Sequence, residues 1–359
     1  MAKKTTYRII GLMSGTSLDG LDIACCEFTL HKKNWQYELL VAKTIHYPAA
    51  KKEWLSGLMN ASALQLADAD AEFGRFCGKS VKDFLLKNKI KADFIASHGH
   101  TIFHQPEKGF TTQIGNGAYI HAESGLPVVS DFRSLDVALG GQGAPLVPAG
   151  DKLLFSGYDY CLNLGGIANI SLDKNKKRIA YDVCPANLML NFIAARLGKA
   201  YDKGGDLAKK GKVNDTLLKK LNSLPFYLSK PPKSLGREWV EKNIFPLLKN
   251  TSTNNEDLLA TCCEHIAMQI AHALPAGKPE AKLLITGGGA LNHHLVKRIA
   301  FYTAKKATVV IPDKNTILFK EALVFAFLGL LRVENKVNSL ASVTGSKQDN
   351  VGGAIYGMV

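Results

Sequence analysis

Two small-residue turns, each set between apolar β-prone stretches and lying about 150 residues apart, constrain the fold of this chain more than any other feature. In the first, residues 7–13 run into Ser14-Gly15-Thr16-Ser17-Leu18-Asp19-Gly20 and the β-prone pattern resumes over 21–28. In the second, residues 160–164 run through Gly165-Gly166 into 167–172. Small residues let two strands double back sharply, so each run predicts a β-hairpin. Recurrence at a domain-sized spacing predicts an α/β chain of two duplicated domains with a cleft between them. A length of 359 residues is itself beyond the range in which one core usually keeps growing. The expected boundaries are 1–126 plus 334–359 for the domain carrying the first hairpin. Residues 127–333 form the domain carrying the second.

Further elements follow from periodicity. A third extended stretch covers 35–45. Over 62–86, Leu64, Leu66, Phe73, Phe76, Val81 and Leu85 recur at three- and four-residue steps, which predicts a helix. A short buried strand is expected over 93–97, with His98-Gly99-His100-Thr101 in the loop after it. Later come helices over 255–274, 292–304 and 319–332, and a strand over 282–286 that ends in Gly287-Gly288-Gly289. Asp182 is expected just after a strand over 178–181 and ahead of a helix starting near Leu188.

The chemistry suggested is phosphoryl transfer. Gly11, Ser14, Gly15, Thr16, Ser17, Leu18 and Gly20 would let main-chain N–H groups close on phosphate oxygens, and Asp19 and Asp22 could hold Mg²⁺ through water. Alone, this run reads equally as a tight turn. A second turn at Asn163, Gly165 and Gly166 gives two that can clamp a polyphosphate, and Gly287, Gly288 and Gly289, with Asn292 beyond, offer a place for an adenosine. Neither the Walker nor the Rossmann pattern is present.

Asp182 reads as an acid at a helix start or, between phosphate turns, as the carboxylate that activates a nucleophile. Asp131, Arg133 and Asp136 precede the Gly-rich stretch Gly140-Gly141-Gln142-Gly143-Ala144-Pro145, where a sugar can approach the backbone; surface ion pairing is the other reading of Asp131 and Arg133. His98, His100 and His104 lack carboxylates at ligand spacing and read as partners of sugar hydroxyls or of the core. Glu321 reads as a helix cap or a sugar contact.

Composition narrows the classes. Charged residues make up 21% and hydrophobic ones 46%, the mixture of a globular chain. The apolar run 322–331 is too short to span a bilayer. The net charge of +14 admits nucleic acid, a membrane surface or an anionic small substrate, but the lysines are dispersed without interleaved aromatics, which favours solvated surface. Seven cysteines without a Cys-x-x-Cys and no signal segment point to the cytoplasm, with buried thiols.

With these residues in hand, the chain resembles the anhydro-N-acetylmuramic acid kinases from end to end. The matching motifs are Gly11-Leu12-Met13-Ser14-Gly15-Thr16-Ser17-Leu18-Asp19-Gly20, Asp131-Phe132-Arg133 with the stretch 138–148, and Asn163-Leu164-Gly165-Gly166-Ile167-Ala168-Asn169. Shorter matches are Tyr201-Asp202, Pro232-Lys233-Ser234 with Gly236-Arg237-Glu238, Gly287-Gly288-Gly289 with Asn292, Lys320-Glu321-Ala322 and Ser342-Val343-Thr344-Gly345. The resemblance implies ribonuclease-H-like domains of the actin/Hsp70/sugar-kinase type, use of ATP and Mg²⁺, and a homodimer. It further implies hydrolysis of a 1,6-anhydro bond coupled to phosphorylation of O6, with Asp182 activating the water, and no nucleic-acid or membrane partner. By the same resemblance His98, Asp131, Arg133, Gln142 and Glu321 face the sugar. Two departures stand out: Val183-Cys184 where the family usually has Thr and Gly, and His100 where it usually has Gln. They leave open a kinase of the same fold for another amino or anhydro sugar, beside a nucleotide-switched binding protein.

Overall fold

Both hairpins form where the small residues predict them. In the computed structural model, which describes residues 5–32, 34–275 and 280–357, β1 (Thr6–Ser14) pairs antiparallel with β2 (Gly20–His31), and β3 (Asn34–His46) extends the meander. β4 (Phe94–Gln105) lies parallel to β1, β5 (Phe110–Ile114) folds back antiparallel on β4, and β6 (Val128–Ser130) adds in parallel. The strand Ala354–Tyr356 closes the edge beside β6. The chain divides into two compact units: Met1–Leu154 with Phe319–Val359, and Phe155–Leu318.

In unit 1 the predicted helix spans Ala63–Asn88, one residue after Ser62, whose hydroxyl accepts from the Gln65 N–H while the Gln65 side chain accepts from the Ser62 N–H. This reciprocal cap satisfies two N–H groups that the helix leaves open. Phe73, Cys77, Val81 and Phe84 from this helix pack with Ile10, Leu12 and Ile23 of the sheet. Burial of each such side chain contributes about 1.5–3 kcal/mol. The helix Lys314–Val333 covers Gly11, where a side chain would run into the Ala322 carbonyl. At Gly329 an added Cβ would meet Ala96 Cβ at 2.5 Å. The two glycines thus let helix and sheet approach closely. Lys320 of the same helix and Asp151 of the helix Val147–Leu154 form a buried ion pair at 2.7 Å.

Unit 2 repeats the plan. β7 (Tyr160–Leu164), β8 (Ile167–Lys174) and β9 (Lys177–Pro185) form an antiparallel meander, and β10 (Lys282–Thr286) and β11 (Thr308–Val310) add in parallel on the far side of β7. The order β11-β10-β7-β8-β9 mirrors β6-β4-β1-β2-β3 of unit 1. The helix Asn255–Ala273 is capped by the Asn254 side chain and buries Leu258, Cys262, Ile266 and Ile270 against this sheet's core.

Three expectations are corrected. Residues 98–101 are strand, not loop, because β5 pairs with them, His100 opposite Ile114 and Thr101 opposite Gln113. The unit boundaries fall at 154/155 and 318/319 in place of 126/127 and 333/334, because β6 is hydrogen-bonded within the first sheet and most of the helix Lys314–Val333 packs there. Asp182 lies within β9 rather than after it.

Candidate functional site

The exposed part of the first turn is short. Thr16, Ser17 and Asp19 are exposed, the Leu18 N–H donates to the Gly15 carbonyl at 3.2 Å, and Leu18 takes φ 59° to close the turn. At Gly15 an added Cβ would meet nothing nearer than Ser17 Oγ at 3.6 Å, so its open side is free for a ligand. The flanking residues serve the fold instead. Gly11 and Gly20 are buried beneath neighbouring backbone, and Ser14 is buried with its hydroxyl shared between Tyr47 Oη (2.8 Å) and His100 Nδ1 (2.9 Å). In sequence, a glycine required by packing looks the same as one required by a phosphate. Asp22 is half-buried and accepts from Thr44 Oγ1 at 2.5 Å; burial pushes its carboxyl up, and Asp19 adds to the effect.

A second cluster in unit 1 forms around Arg133. Its Nε and Nη2 reach His98 Nε2 at 2.9 and 2.8 Å, and its Nη1 donates to the Gly143 carbonyl at 2.6 Å. His98 Nδ1 lies 3.0 Å from the Gly99 carbonyl, so the ring donates there and accepts from Arg133, which requires the neutral form. Burial and the Arg133 charge both hold His98 well below its ordinary range. Burial lowers Arg133 itself to about 10, with Glu321 and Asp136 opposing. Glu321 keeps an exposed surface, yet desolvation still pushes its carboxyl up; Arg133 counters this and Asp22 adds to it. Among the described residues the partners of Arg133 are a ring nitrogen and a main-chain oxygen, with no ion pair at the surface.

At the start of the short helix Ser134–Ala138, Asp131 accepts from the Ser134 N–H at 3.3 Å and from its hydroxyl at 2.5 Å. Together with Ser97, His98, Asn116, Ser130 and Tyr356 it lines a cavity of ≈ 230 Å³. Gln142 is exposed, held through its N–H to the Thr344 carbonyl at 2.8 Å. Close by sits the buried Asp136, which accepts from Ser339, Thr344, Asn350 and the Gly143 N–H at 2.8–2.9 Å. A larger cavity of ≈ 420 Å³ over Phe245 and Lys249 contains none of the residues singled out from sequence.

In unit 2 the two glycine turns meet. A Cβ at Gly287 would meet Asn163 Oδ1 at 2.5 Å, and one at Gly289 would meet Leu164 Cβ at 2.7 Å, whereas at Gly288 the nearest atom is 3.9 Å away. Gly287 has φ 81°. Gly287 and Gly289 are therefore fixed by packing on the hairpin, whereas Gly288 faces open space; Gly166 is exposed, with Leu188 the nearest group to an added Cβ at 3.2 Å. The Gly165 and Gly166 carbonyls accept from Asn187, Ala186 and Leu188, joining the turn to the start of the helix Asn187–Ala195. Asn292 is buried, and its Oδ1 accepts from the Leu295 N–H at 2.9 Å as the cap of the helix His293–Thr303.

Asp182 stands opposite Asn169, and Cys184 opposite Ala168, so Val183 is an extra residue that bulges β9. Bulges of this kind re-aim side chains beside functional sites. Asp182 is half-buried, its Oδ2 accepts from the Leu235 N–H at 2.8 Å, and its own N–H donates to the Lys233 carbonyl at 3.0 Å. Burial raises its carboxyl above the usual carboxylate range, and the Leu235 N–H holds it back in part. A carboxylate tuned upward and held by one oxygen is suited to taking a proton. The departures Val183 and Cys184 are both buried in the core of unit 2.

Two sheets of the same strand order, each with a glycine turn at the tip of its leading hairpin, define the actin/Hsp70/sugar-kinase class of α/β proteins. The sequence profile of the anhydro-N-acetylmuramic acid kinases matches residues 7–358, and the chain belongs to that family. Relatives carrying that family's name include proteins of Pseudomonas fluorescens (39% identical), Pasteurella multocida (38%) and Mannheimia succiniciproducens (36%). The alignments cover 97–99% of this chain and 98% of each relative. Among the described residues no helix is long and apolar enough to cross a membrane.

Proposed function

We propose that the chain is an ATP-dependent kinase that opens 1,6-anhydro-N-acetylmuramic acid with water and phosphorylates O6, giving N-acetylmuramic acid 6-phosphate for cell-wall recycling. The observation that carries the reading is Asp182: a carboxylate raised by burial, fixed through Oδ2, with no partner at Oδ1 among the described residues. Oδ1 takes the proton of the water whose oxygen bonds to C1. As the C1–O6 bond breaks, its electron pair stays on O6, which accepts the phosphoryl group. One carboxylate thereby serves both events. ATP with Mg²⁺ supplies that phosphoryl group. The exposed turn at Gly15–Asp19, Gly166 and Gly288 provide small-residue surfaces where main-chain N–H groups can hold phosphates or the nucleoside. Asp19 and the remaining oxygen of Asp22 are the carboxylates for Mg²⁺.

His98 and Asp131 on the ≈ 230 Å³ cavity, with Arg133, Gln142 and Glu321, are assigned to the sugar. Arg133 offers a cation already desolvated on one side, so binding a carboxylate or hydroxyl there costs little further dehydration. Gly11, Ser14, Gly20, Asn163, Gly287, Gly289 and Asn292 shape the nucleotide surfaces rather than touch the ligand through their side chains. We place the enzyme in the cytoplasm, in keeping with seven free, buried thiols, and expect it to act as a homodimer. The buried Val183 and Cys184 give no reason to choose another sugar.

The test is ADP release in a coupled assay with and without the anhydro sugar, repeated with Asp182→Asn. Release should depend on the sugar, and Asp182→Asn should lower kcat by at least about a hundredfold while calorimetric ATP affinity persists. ADP release indifferent to the sugar would overturn the reading.

A further inference from the structure

We infer that Lys233 is a positioning residue for Asp182, acting through the main chain of residues 233–235. The inference rests on the reaction proposed above. Lys233 belongs to a motif, Pro232-Lys233-Ser234, that neither the nucleotide surfaces nor the sugar cluster uses. The segment holds Asp182 from two sides: the Lys233 carbonyl accepts the Asp182 N–H at 3.0 Å, and two residues on, the Leu235 N–H donates to Asp182 Oδ2 at 2.8 Å. Pro231, Pro232, Ser234 and Gly236 around it are exposed, so apart from the buried Leu235 side chain little burial keeps this stretch in place.

Beside Leu235, the Lys233 side chain anchors it. Its Nζ donates to the Phe226 carbonyl at 3.0 Å and lies 4.4 Å from the centre of the Phe226 ring. A cation over a ring combined with a hydrogen bond sets both the distance and the direction of the anchor. Phe226 is braced in turn by Tyr227 and Trp239, with ring centres at 5.6 and 5.4 Å. Tyr227 Oη lies 2.9 Å from His265 Nε2, and His265 is buried in the helix Asn255–Ala273. The anchor therefore runs from the core of unit 2 through an aromatic cluster to Lys233, and from its main chain to the carboxylate.

The consequence is specific to the proton transfer. The Leu235 N–H stabilises the ionised carboxylate and turns Oδ2 away, so that Oδ1 presents to the water. The other titratable groups at this corner are Cys184, two residues along β9 and coupled to both Asp182 and Lys233, and Tyr227 behind it. Releasing the segment removes the N–H, and Asp182 then ionises at a higher pH.

The experiment compares Lys233→Met and Lys233→Arg with the unaltered enzyme in a pH profile of kcat and kcat/KM, with the KM for ATP measured alongside. Lys233→Met should move the acid limb to higher pH and lower kcat by on the order of tenfold to a hundredfold, with the ATP KM unchanged. Lys233→Arg, which keeps a cation and donors, should restore the limb. The limb's position does not depend on how much of a variant is folded, so a purely structural role gives lower activity at an unmoved limb, and that result overturns the inference. A limb displaced equally in both variants also overturns it. Failure of the underlying reading is distinct: the unaltered enzyme would then release no sugar-dependent ADP.

Discussion

Replacing Gly11 with alanine separates a packing glycine from a phosphate-binding one. A Cβ there would overlap the Ala322 carbonyl oxygen, sit 2.8 Å from its carbon and lie 3.1 Å from Ala326 Cβ. The obstructing group is backbone in the middle of the helix Lys314–Val333, so no side-chain rotation relieves it. Restoring an ordinary contact to the carbon alone requires β1 and the helix to part by about 0.6 Å, and the oxygen demands more. Ala322, Leu323, Phe325 and Ala326 are all buried at 1% exposure or less, so that gap opens in fully packed core. The cost is about 3 kcal/mol, the upper part of the range for overpacking. For a unit of this size that lowers the melting temperature by about 6–12 °C. Differential scanning calorimetry measures the shift, and isothermal titration with ATP well below the transition measures affinity. A melting temperature within about 2 °C of the unaltered protein, combined with a loss of ATP affinity, would refute the packing assignment and return Gly11 to the ligand surface.

Other outcomes follow from the same structure. Gly288→Ala meets no atom within 3.9 Å and should leave the melting temperature nearly unchanged while weakening ATP binding; Gly289→Ala, driven against Leu164, should lower the melting temperature instead, and calorimetry on the pair checks the contrast. Burial alone would raise Asp136, but its bonds from Ser339, Gly143, Thr344 and Asn350 outweigh burial and hold it below the ordinary range. A depressed carboxyl contributes stability at pH values above its unfolded pKa, and that stability is lost as the pH falls through the folded value. Asp136→Asn should therefore cost about 2 kcal/mol at pH 7 and flatten the acid side of a denaturation-against-pH curve. Equal acid sensitivity in both proteins would contradict this.

What could be read in advance was whatever the chain encodes locally. The hairpins, the capped helix after Ser62 and the strand Lys282–Thr286 carry their signals within a few consecutive residues: small turn residues, a Ser-x-x-Gln box, an apolar run closed by glycines. The misplaced parts depend on partners distant in sequence. His98-Gly99-His100 carries little strand propensity, and the strand continues through it because His100 pairs with Ser14 of β1 and Ile114 of β5. Gly11 and Gly287 were recognised as special, yet whether ligand or neighbouring backbone requires the missing side chain is decided by Ala322 and Asn163. The Lys233–Leu235 clasp on Asp182 works through main-chain groups, which every residue possesses, so only a recurring motif marked the place. Asp136 gathers partners more than 200 residues further along the chain, a convergence that no local pattern records.

The Asp151–Lys320 ion pair has a practical consequence for dissecting the enzyme. Unit 2 is one uninterrupted stretch, whereas unit 1 is assembled from two pieces of chain. Because those two residues bond a few positions from where the pieces end, the severed termini of unit 1 lie close together. A short flexible connector can therefore rejoin them into one polypeptide, and the halves of this duplicated protein can be produced and titrated with nucleotide or sugar one at a time.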